Sequence, residues 1–364
     1  MKKKMMHNSY YHFEDDLKKY PDCWCYVVWS KRGPGKTYSS LWWSYLNEIP
    51  IIYMKRTNDD VNLLCENNKF GFDASPYVPI NRDKKTDIRA MKMNEGLGGF
   101  WKYETDPEGN AYPVGLPISY CLSMNAIKKF KGFDFSRCDW IILDEFIPQL
   151  GERVSRKEGE LLLDLYMTVS RDRQKRGKAP LKLILFANAE EISTPVTNTL
   201  EIVDIMADLN ASGQTHYYDE QRGIMLHHIT NEEIPIKEEE KTGIYQAMHD
   251  TNWGAKSFDG SFANNDFSNV KKWSLSGYSP YIRLHKGKKD FYVYLNKNNG
   301  NYYMTASKGK CLFEYDLNLE NDQKLFYLEH HPELWSACVE GKMKFQRYSM
   351  YDLIMNYKKF FNVY

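Results

Sequence analysis

Two short stretches of this sequence hold residue types that work on phosphate. The first is Ser30-Lys31-Arg32-Gly33-Pro34-Gly35-Lys36-Thr37. It follows the phosphate-loop pattern G-x-x-x-x-G-K-[ST], with Ser30 in place of the first glycine. Gly33 and Gly35 let backbone N–H groups turn inward around an anion. A helix beginning at Lys36 would aim its positive end at the same anion. Lys36 can then reach β- and γ-phosphates, and the Thr37 hydroxyl can ligate Mg²⁺. Alone, the stretch also fits a loop that merely contains Gly-Pro-Gly. The second stretch is Trp140–Glu145, WIILDE, whose Asp144 lies 108 residues beyond Lys36. It reads as an apolar strand ending in two carboxylates. Asp144 suits Mg²⁺ held through its water shell, and Glu145 suits polarising a water toward a γ-phosphate. A kinase would direct the phosphoryl group to a substrate hydroxyl instead. A solvated strand end would also carry Asp-Glu. The two stretches together point to a nucleoside triphosphate and Mg²⁺.

Two weaker signals accompany them. Leu181–Asn188, LKLILFAN, is a strand ending in a polar residue. Asn188 could hydrogen-bond a γ-phosphate or the attacking water. Arg171-Asp172-Arg173 follows a helical stretch. Those arginines are either solvated charges or an arginine finger reaching a neighbouring subunit's nucleotide.

These residues need a scaffold. Trp24–Trp29, Pro50–Met54, Ile118–Met124, Trp140–Leu143 and Leu181–Ala187 are apolar runs. Thr37–Asn47 and Glu158–Val169 have helical spacing, the latter with Leu161, Leu162, Leu165 and Val169 on one face. Strands separated by helices predict βαβ units and a mainly parallel sheet. Runs without alternation agree, because such strands are covered on both faces. Residues 56–115, polar and broken by Gly and Pro, read as irregular excursions around this core. Tyr217–Ile229 reads as a hairpin, and 231–268 as a linker or small connecting subdomain. Asp290–Asn296 and Asn301–Thr305 flank KNNG, an Asn-Gly hairpin signal. Tyr348–Phe361 predicts a closing helix. The domain boundaries expected are 1–208, 209–268 and 269–364.

Composition narrows the class. The chain has 364 residues, net charge +1, 42% hydrophobic and 27% charged residues, which describes a globular chain of about two domains at roughly 150 residues each. No apolar run approaches the ~18 residues of a membrane span. The start MKKKMMHNSYYHF has charge without an apolar stretch, so a cytosolic protein with no secretory signal is expected. The seven cysteines are an odd, scattered set, read as reduced core residues. Cys23 and Cys25, alternating on one strand, point to opposite faces and cannot share a metal. The near-neutral total hides a basic segment. Lys271–Lys310 holds nine Lys/Arg against one Asp, a local net of +8. It suits phosphate contacts with nucleic acid, or a solvated basic face.

WSKRGPGKT, IIYMKR, WIILDEF, TVSRDR and LILFANA, in that order over roughly the first 205 residues, resemble the genome-packaging ATPases of phi-29-like tailed phages. The resemblance implies a RecA-like, ASCE-type P-loop ATPase domain and a small linker domain. It also implies an α+β, RNase H-like C-terminal domain without nuclease activity. Between 271 and 310 only Asp290 is acidic, and a two-metal nuclease needs several converging carboxylates. The implied activity is ATP hydrolysis that drives double-stranded DNA into an empty capsid. The implied state is a homomeric ring, a pentamer, at the capsid portal, with a structural packaging RNA in some members. The implied setting is the host cytoplasm, transiently on the procapsid and not in the mature virion. Carried over residue by residue, Lys36 and Thr37 take the phosphate-loop (Walker A) roles, and Arg32 matches the family's loop arginine. Asp144 takes the Walker B metal role and Glu145 the catalytic one. Arg171 matches the trans-acting arginine, with Arg173 in reserve. Lys129 matches a second interface lysine, though Lys128 and Lys131 fit equally on charge. Ser30 departs from the family's glycine. A helicase, or a nucleotide-binding module that does not hydrolyse, would share some of these motifs. Glu145 argues against the module.

Overall fold

The computed structural model describes residues 10–66, 74–130, 132–149 and 151–363. The chain forms two compact units, Met1–Leu200 with Leu209–Asn264, and Glu201–Asp208 with Asn265–Tyr364. The first is built on nine strands. These are β1 (Cys25–Ser30), β2 (Ile51–Lys55), β3 (Ile88–Asn94), β4 (Leu97–Thr105), β5 (Ala111–Ser123), β6 (Trp140–Asp144), β7 (Lys182–Asn188), β8 (His216–Asp219) and β9 (Ile224–Ile229). Their order across the sheet is β3-β4-β5-β2-β6-β7-β1-β9-β8. The six central strands, β5 to β9 in that order, are all mutually parallel. β1, as its apolar run implies, is buried along its whole length, and so is β9 despite its two histidines. One layer of core lies between this sheet and the flanking segments, where Phe13 packs edge-on against Tyr26, Trp140 and Phe186.

The sheet reaches further than the sequence indicates. The irregular excursions expected over 56–115 are instead the helices Asn58–Cys65 and Val78–Lys84 and an antiparallel extension, β3-β4-β5, apart from 67–73, outside the described residues. The GLGG stretch at 96–99 reads as a loop but enters β4, because a Cβ on Gly98 would stand 2.3 Å from the Cys65 sulfur and 2.7 Å from that of Cys121. Glycine here admits side-chain packing rather than a turn.

The hairpin expected at Tyr217–Ile229 is present as β8-β9, and β9 pairs with β1. The expected separate piece over 209–268 is therefore corrected. Through Asn264 it belongs to the first unit, with its own helices Gly243–Met248 and Asn252–Asp259.

The second unit has β10 (Ser279–Lys286), β11 (Lys289–Asn296), β12 (Asn301–Thr305), β13 (Phe313–Asp316) and β14 (Met343–Phe345). They are ordered β13-β10-β11-β12-β14, with antiparallel β10-β11-β12 and parallel outer strands. The Asn-Gly turn joins β11 to β12 as expected. The closing helix is broken into Tyr348–Met355 and Tyr357–Phe360 at Asn356, whose side-chain amide donates to Asp352 Oδ1 at 2.7 Å. A short polar side chain that binds the preceding turn in this way competes with helix continuation. All seven cysteines are free, six of them buried. No helix among the described residues is long and apolar enough to cross a membrane.

One basic residue of the second unit is not a free surface charge. Lys286 Nζ lies 4.0 Å from the Phe360 ring centroid. Burial depresses its pKa from the ordinary 10.5 to about 8, against the opposing pull of Asp352. A lysine depressed in the fold binds fewer protons there than in the unfolded chain, so stability rises with pH between the two values. Urea unfolding of the second unit's transition should therefore show a midpoint that climbs between about pH 8 and pH 10.5, and Lys286→Met should remove that climb. An identical climb in the variant would assign it to other groups.

Candidate functional site

β1 ends at Ser30, and the helix Lys36–Leu46 starts after a five-residue loop. Gly35 takes φ +93°, which a side chain would strain. Lys36 turns its ammonium back under the loop and is buried. It donates to Ser30 Oγ at 2.5 Å and approaches Lys31 O and Asn188 Oδ1 at 3.4 Å each. Ser30 and Asn188 are register partners on β1 and β7, which is why both arrive at this point. Burial lowers the Lys36 pKa to about 8, although Asp144 and Glu145 pull it upward. A buried ammonium contacted only by neutral oxygens is a site for an anion.

β6, two strands from β1, delivers Asp144 beside it. Asp144 Oδ2 accepts from Thr37 Oγ1 at 3.0 Å and from Tyr53 OH at 2.7 Å. A hydroxyl and a carboxylate converging on one point are the hard oxygens that Mg²⁺ prefers. Glu145 follows with φ +58°, its carboxylate about half exposed at 47%. Lys55 Nζ holds Glu145 Oε2 at 3.0 Å. Arg56 fixes the turn by donating to the Glu145 and Phe146 carbonyls at 3.1 Å each. Its Nε is paired with the buried Glu158 at 2.8 Å. In the sequence, Tyr53, Lys55 and Arg56 belong to the IIYMKR stretch but carry no assigned role, and only strand order shows that β2 lies next to β6.

The remaining sequence candidates separate cleanly. Arg32 is exposed, with Nη2 3.9 Å from Glu190 Oε1. The Lys31 side chain is buried and donates to Ile234 O at 3.1 Å, so only its backbone faces the loop. Pro34 is buried, its carbonyl accepting from Tyr11 N–H at 2.9 Å. Gly33 has open space where a Cβ would stand. Arg171 is exposed at the end of the helix Glu158–Ser170. In that helix Tyr166 OH donates to Leu181 O, at the start of β7. Arg171 thus lies toward the amino ends of the parallel strands, while Lys36 lies at their carboxyl ends. Arg173 cannot stand in for it. Its guanidinium is 4% exposed and bonded to Ala179 O, Cys138 O and Asp139. Lys129 is exposed and paired with Glu95 at 2.9 Å, and Lys128 has no ion pair among the described residues. Lys131 lies outside the described residues.

The segment expected as a linker braces the loop. A Cβ on Gly260 would stand 2.4 Å from Lys31 N and 2.7 Å from the Ser30 carbonyl carbon. His228, stacked on Trp29 at 5.1 Å, lies 3.1 Å from Gly260 O through Nε2.

Fold and site together define the class: an α/β protein of mainly parallel sheet with a phosphate-loop motif at the carboxyl end of β1. The particular fold is that of phage DNA-packaging motors. The chain is similar to the solved structure of the bacteriophage Phi-29 viral genome packaging motor assembly, with TM-score 0.64 and 15% identity over 97% of this chain and 100% of that one. It is likewise similar to the Phi-28 gp11 DNA packaging motor, with TM-score 0.62 and 14% identity over 97% of both chains. No protein-family profile and no curated protein matches the sequence.

Gly260 gives a direct test of the brace. In Gly260→Ala the added methyl meets backbone, which must shift, and glycine's φ of +68° is lost as a free choice. Nucleotide affinity measured by fluorescent-analogue titration should fall at least tenfold, with a lower melting temperature. Unchanged affinity would show that the loop holds its shape without this contact.

Proposed function

We propose that this chain is the ATPase subunit of a phage DNA-packaging motor, hydrolysing ATP to move double-stranded DNA into an empty capsid. The observation that carries the reading is the meeting of Lys36, Thr37, Asp144 and Asn188 at one point from separate stretches of sequence. The fold shared with two packaging motors over nearly the whole chain supports the biological setting.

In this reading the first unit is a RecA-like ASCE-type ATPase domain. The backbone from Ser30 to Thr37 cradles the phosphates, with Lys36 supplying the positive charge and Arg32 standing at the rim. Ser30 does what a glycine could not: its hydroxyl positions the Lys36 ammonium. Thr37 and Asp144 would hold Mg²⁺, which supplies charge neutralisation at the β- and γ-phosphates. Glu145 takes a proton from the attacking water once released from Lys55, and Asn188 orients the γ-phosphate side. Arg171 serves a neighbouring subunit's site in a homomeric ring, a pentamer. Arginine suits that task because its fork stays charged and binds two oxygens. Lys129 is a second interface lysine. The second unit is an RNase H-like, nuclease-inactive domain that contacts nucleic acid, DNA or a packaging RNA. The ring works at the capsid portal in the host cytoplasm and leaves before the virion matures.

Glu145→Gln should bind ATP and lose turnover, because an amide keeps the shape but accepts no proton. Lys36→Ala should lose binding itself. Rings mixed from Glu145→Gln and Arg171→Ala subunits should regain ATPase activity at interfaces pairing an intact Glu145 with an intact Arg171. Zero activity at every mixing ratio, with rings shown to form, would overturn the trans role.

The charges of the second unit sharpen the nucleic-acid test. Arg283 is tied to Asp290 and Glu314, Lys289 to Glu201, and Lys286 to an aromatic ring. Lys297, Lys308 and Lys310 are exposed with no ion pair among the described residues. Replacing these three with Gln should flatten the slope of log Kobs against log salt by about 0.9 for each phosphate no longer neutralised. Replacing Arg283 should leave the slope unchanged. The reverse pattern would place the nucleic-acid face elsewhere.

A further inference from the structure

A second constellation lies outside the phosphate site. His216 and His227 are directly opposite each other in the β8-β9 ladder, their rings stacked at 3.9 Å. Asp16, on the helix Phe13–Lys19, meets both. Its Oδ2 lies 2.8 Å from His227 Nδ1 and its Oδ1 lies 3.5 Å from His216 Nε2. The three ligand atoms fall within 4.8 Å of one another. Ligands at zinc-bonding distance around a tetrahedral centre stand roughly 3.3 Å apart, near the distances from Asp16 to each imidazole, while the two rings, 24° from parallel, must splay for both ring nitrogens to meet one ion. Asp16 and His227 are almost wholly buried, with side chains 4% and 3% exposed.

The outer partners fit the same purpose. His227 Nε2 faces Glu233 Oε2 at 2.8 Å, and His216 Nδ1 faces Thr215 Oγ1 at 2.9 Å. An imidazole ligand is commonly held by a carboxylate or hydroxyl on its other nitrogen, which fixes tautomer and ring direction. Two imidazoles and one carboxylate favour a borderline transition ion over Mg²⁺ or Ca²⁺.

We propose that Asp16, His216 and His227 form a structural site for a zinc-class divalent ion, with a coordination position left to water. The site would pin the amino-terminal strap of the first unit to the β8-β9 hairpin. That strap touches the phosphate loop through Tyr11 N–H on Pro34 O at 2.9 Å, and the helix after the loop through Phe13 N–H on Ser39 Oγ at 2.7 Å. Tyr11 OH donates to Asp16 Oδ2 at 2.7 Å, linking strap and site. The rival occupant is a proton. Burial alone would lower the His227 pKa, but its bonds to Asp16 and Glu233 push it up to about 9.

The test uses the full chain, stripped with chelator and titrated with Zn²⁺ and Co²⁺. Zinc should bind in one equivalent at micromolar concentration or below and raise the melting temperature, and cobalt should give the visible absorption of a four-coordinate ion. His216 is partly exposed, so His216→Gln should fold. It should weaken zinc binding by more than the roughly 100-fold at which the loss of an outer-shell partner tops out, and abolish the cobalt band. Asp16→Asn should do the same, and Cys311→Ser should change neither. Absence of zinc binding to the unaltered chain at micromolar concentration would overturn the proposal and leave a proton-held network. Equal affinity in His216→Gln would overturn it by placing the ion elsewhere.

Discussion

The first unit is organised around one buried positive charge. An ammonium taken out of water is costly unless an opposite charge answers it. Among the described residues, Lys36 has only a hydroxyl, a carbonyl and an amide oxygen bonded to its ammonium, and Asp144 stands close enough to influence it without bonding to it. The fold keeps that charge in place by register: Ser30 and Asn188 end adjacent parallel strands and close on it from either side. An anion entering the loop would complete the pairing that the protein leaves open. An affinity for anions would thus follow from the same burial that makes an unanswered ammonium unfavourable.

Holding the loop in that shape requires contacts from far along the chain. Tyr11 comes from before β1, Ile234 from after β9, and Gly260 from a helix end more than two hundred residues beyond Ser30. Each meets backbone or a side chain pointing away from the loop, so they shape the loop and do not occupy it. The Glu145 carboxylate is treated in the same way from the next strand. Lys55 restrains the Glu145 side chain while Arg56 secures its carbonyl. Arg56 is itself locked by Glu158, and breaking such a buried pair costs about 3–5 kcal/mol. Freedom at this turn is therefore confined to the Glu145 side chain.

The second unit shows why a charge count is a poor guide to a charged surface. The segment Lys271–Lys310 carries +8 in sequence, yet several of its cations are already engaged, by carboxylates beyond the segment or by aromatic rings. What remains for solvent or a partner among the described residues is a smaller set: Lys272, Lys288 in the β10-β11 turn, Lys297 in the β11-β12 turn, and Lys308 and Lys310 after β12.

Much of the first unit is legible in its residues. The phosphate loop, the apolar strand ending in Asp144-Glu145, the strand ending in Asn188 and the parallel sheet are all local patterns, because buried parallel strands and glycine-shaped loops impose composition directly on the chain. The Asn-Gly hairpin of the second unit is legible for the same reason. The β3-β4 extension is hidden, because glycine accommodates two packed cysteines at Gly98 and mimics a loop. The brace at Gly260, the grip of Lys55 on Glu145 and the engagement of Arg173 leave no trace in spacing. They depend on which strands become neighbours and which faces meet. Arg171 and Arg173 are two residues apart in one motif, but one is at the surface and the other is bonded inside. Sequence determines which chemistries are present; packing between distant segments decides which side chains remain free to perform them.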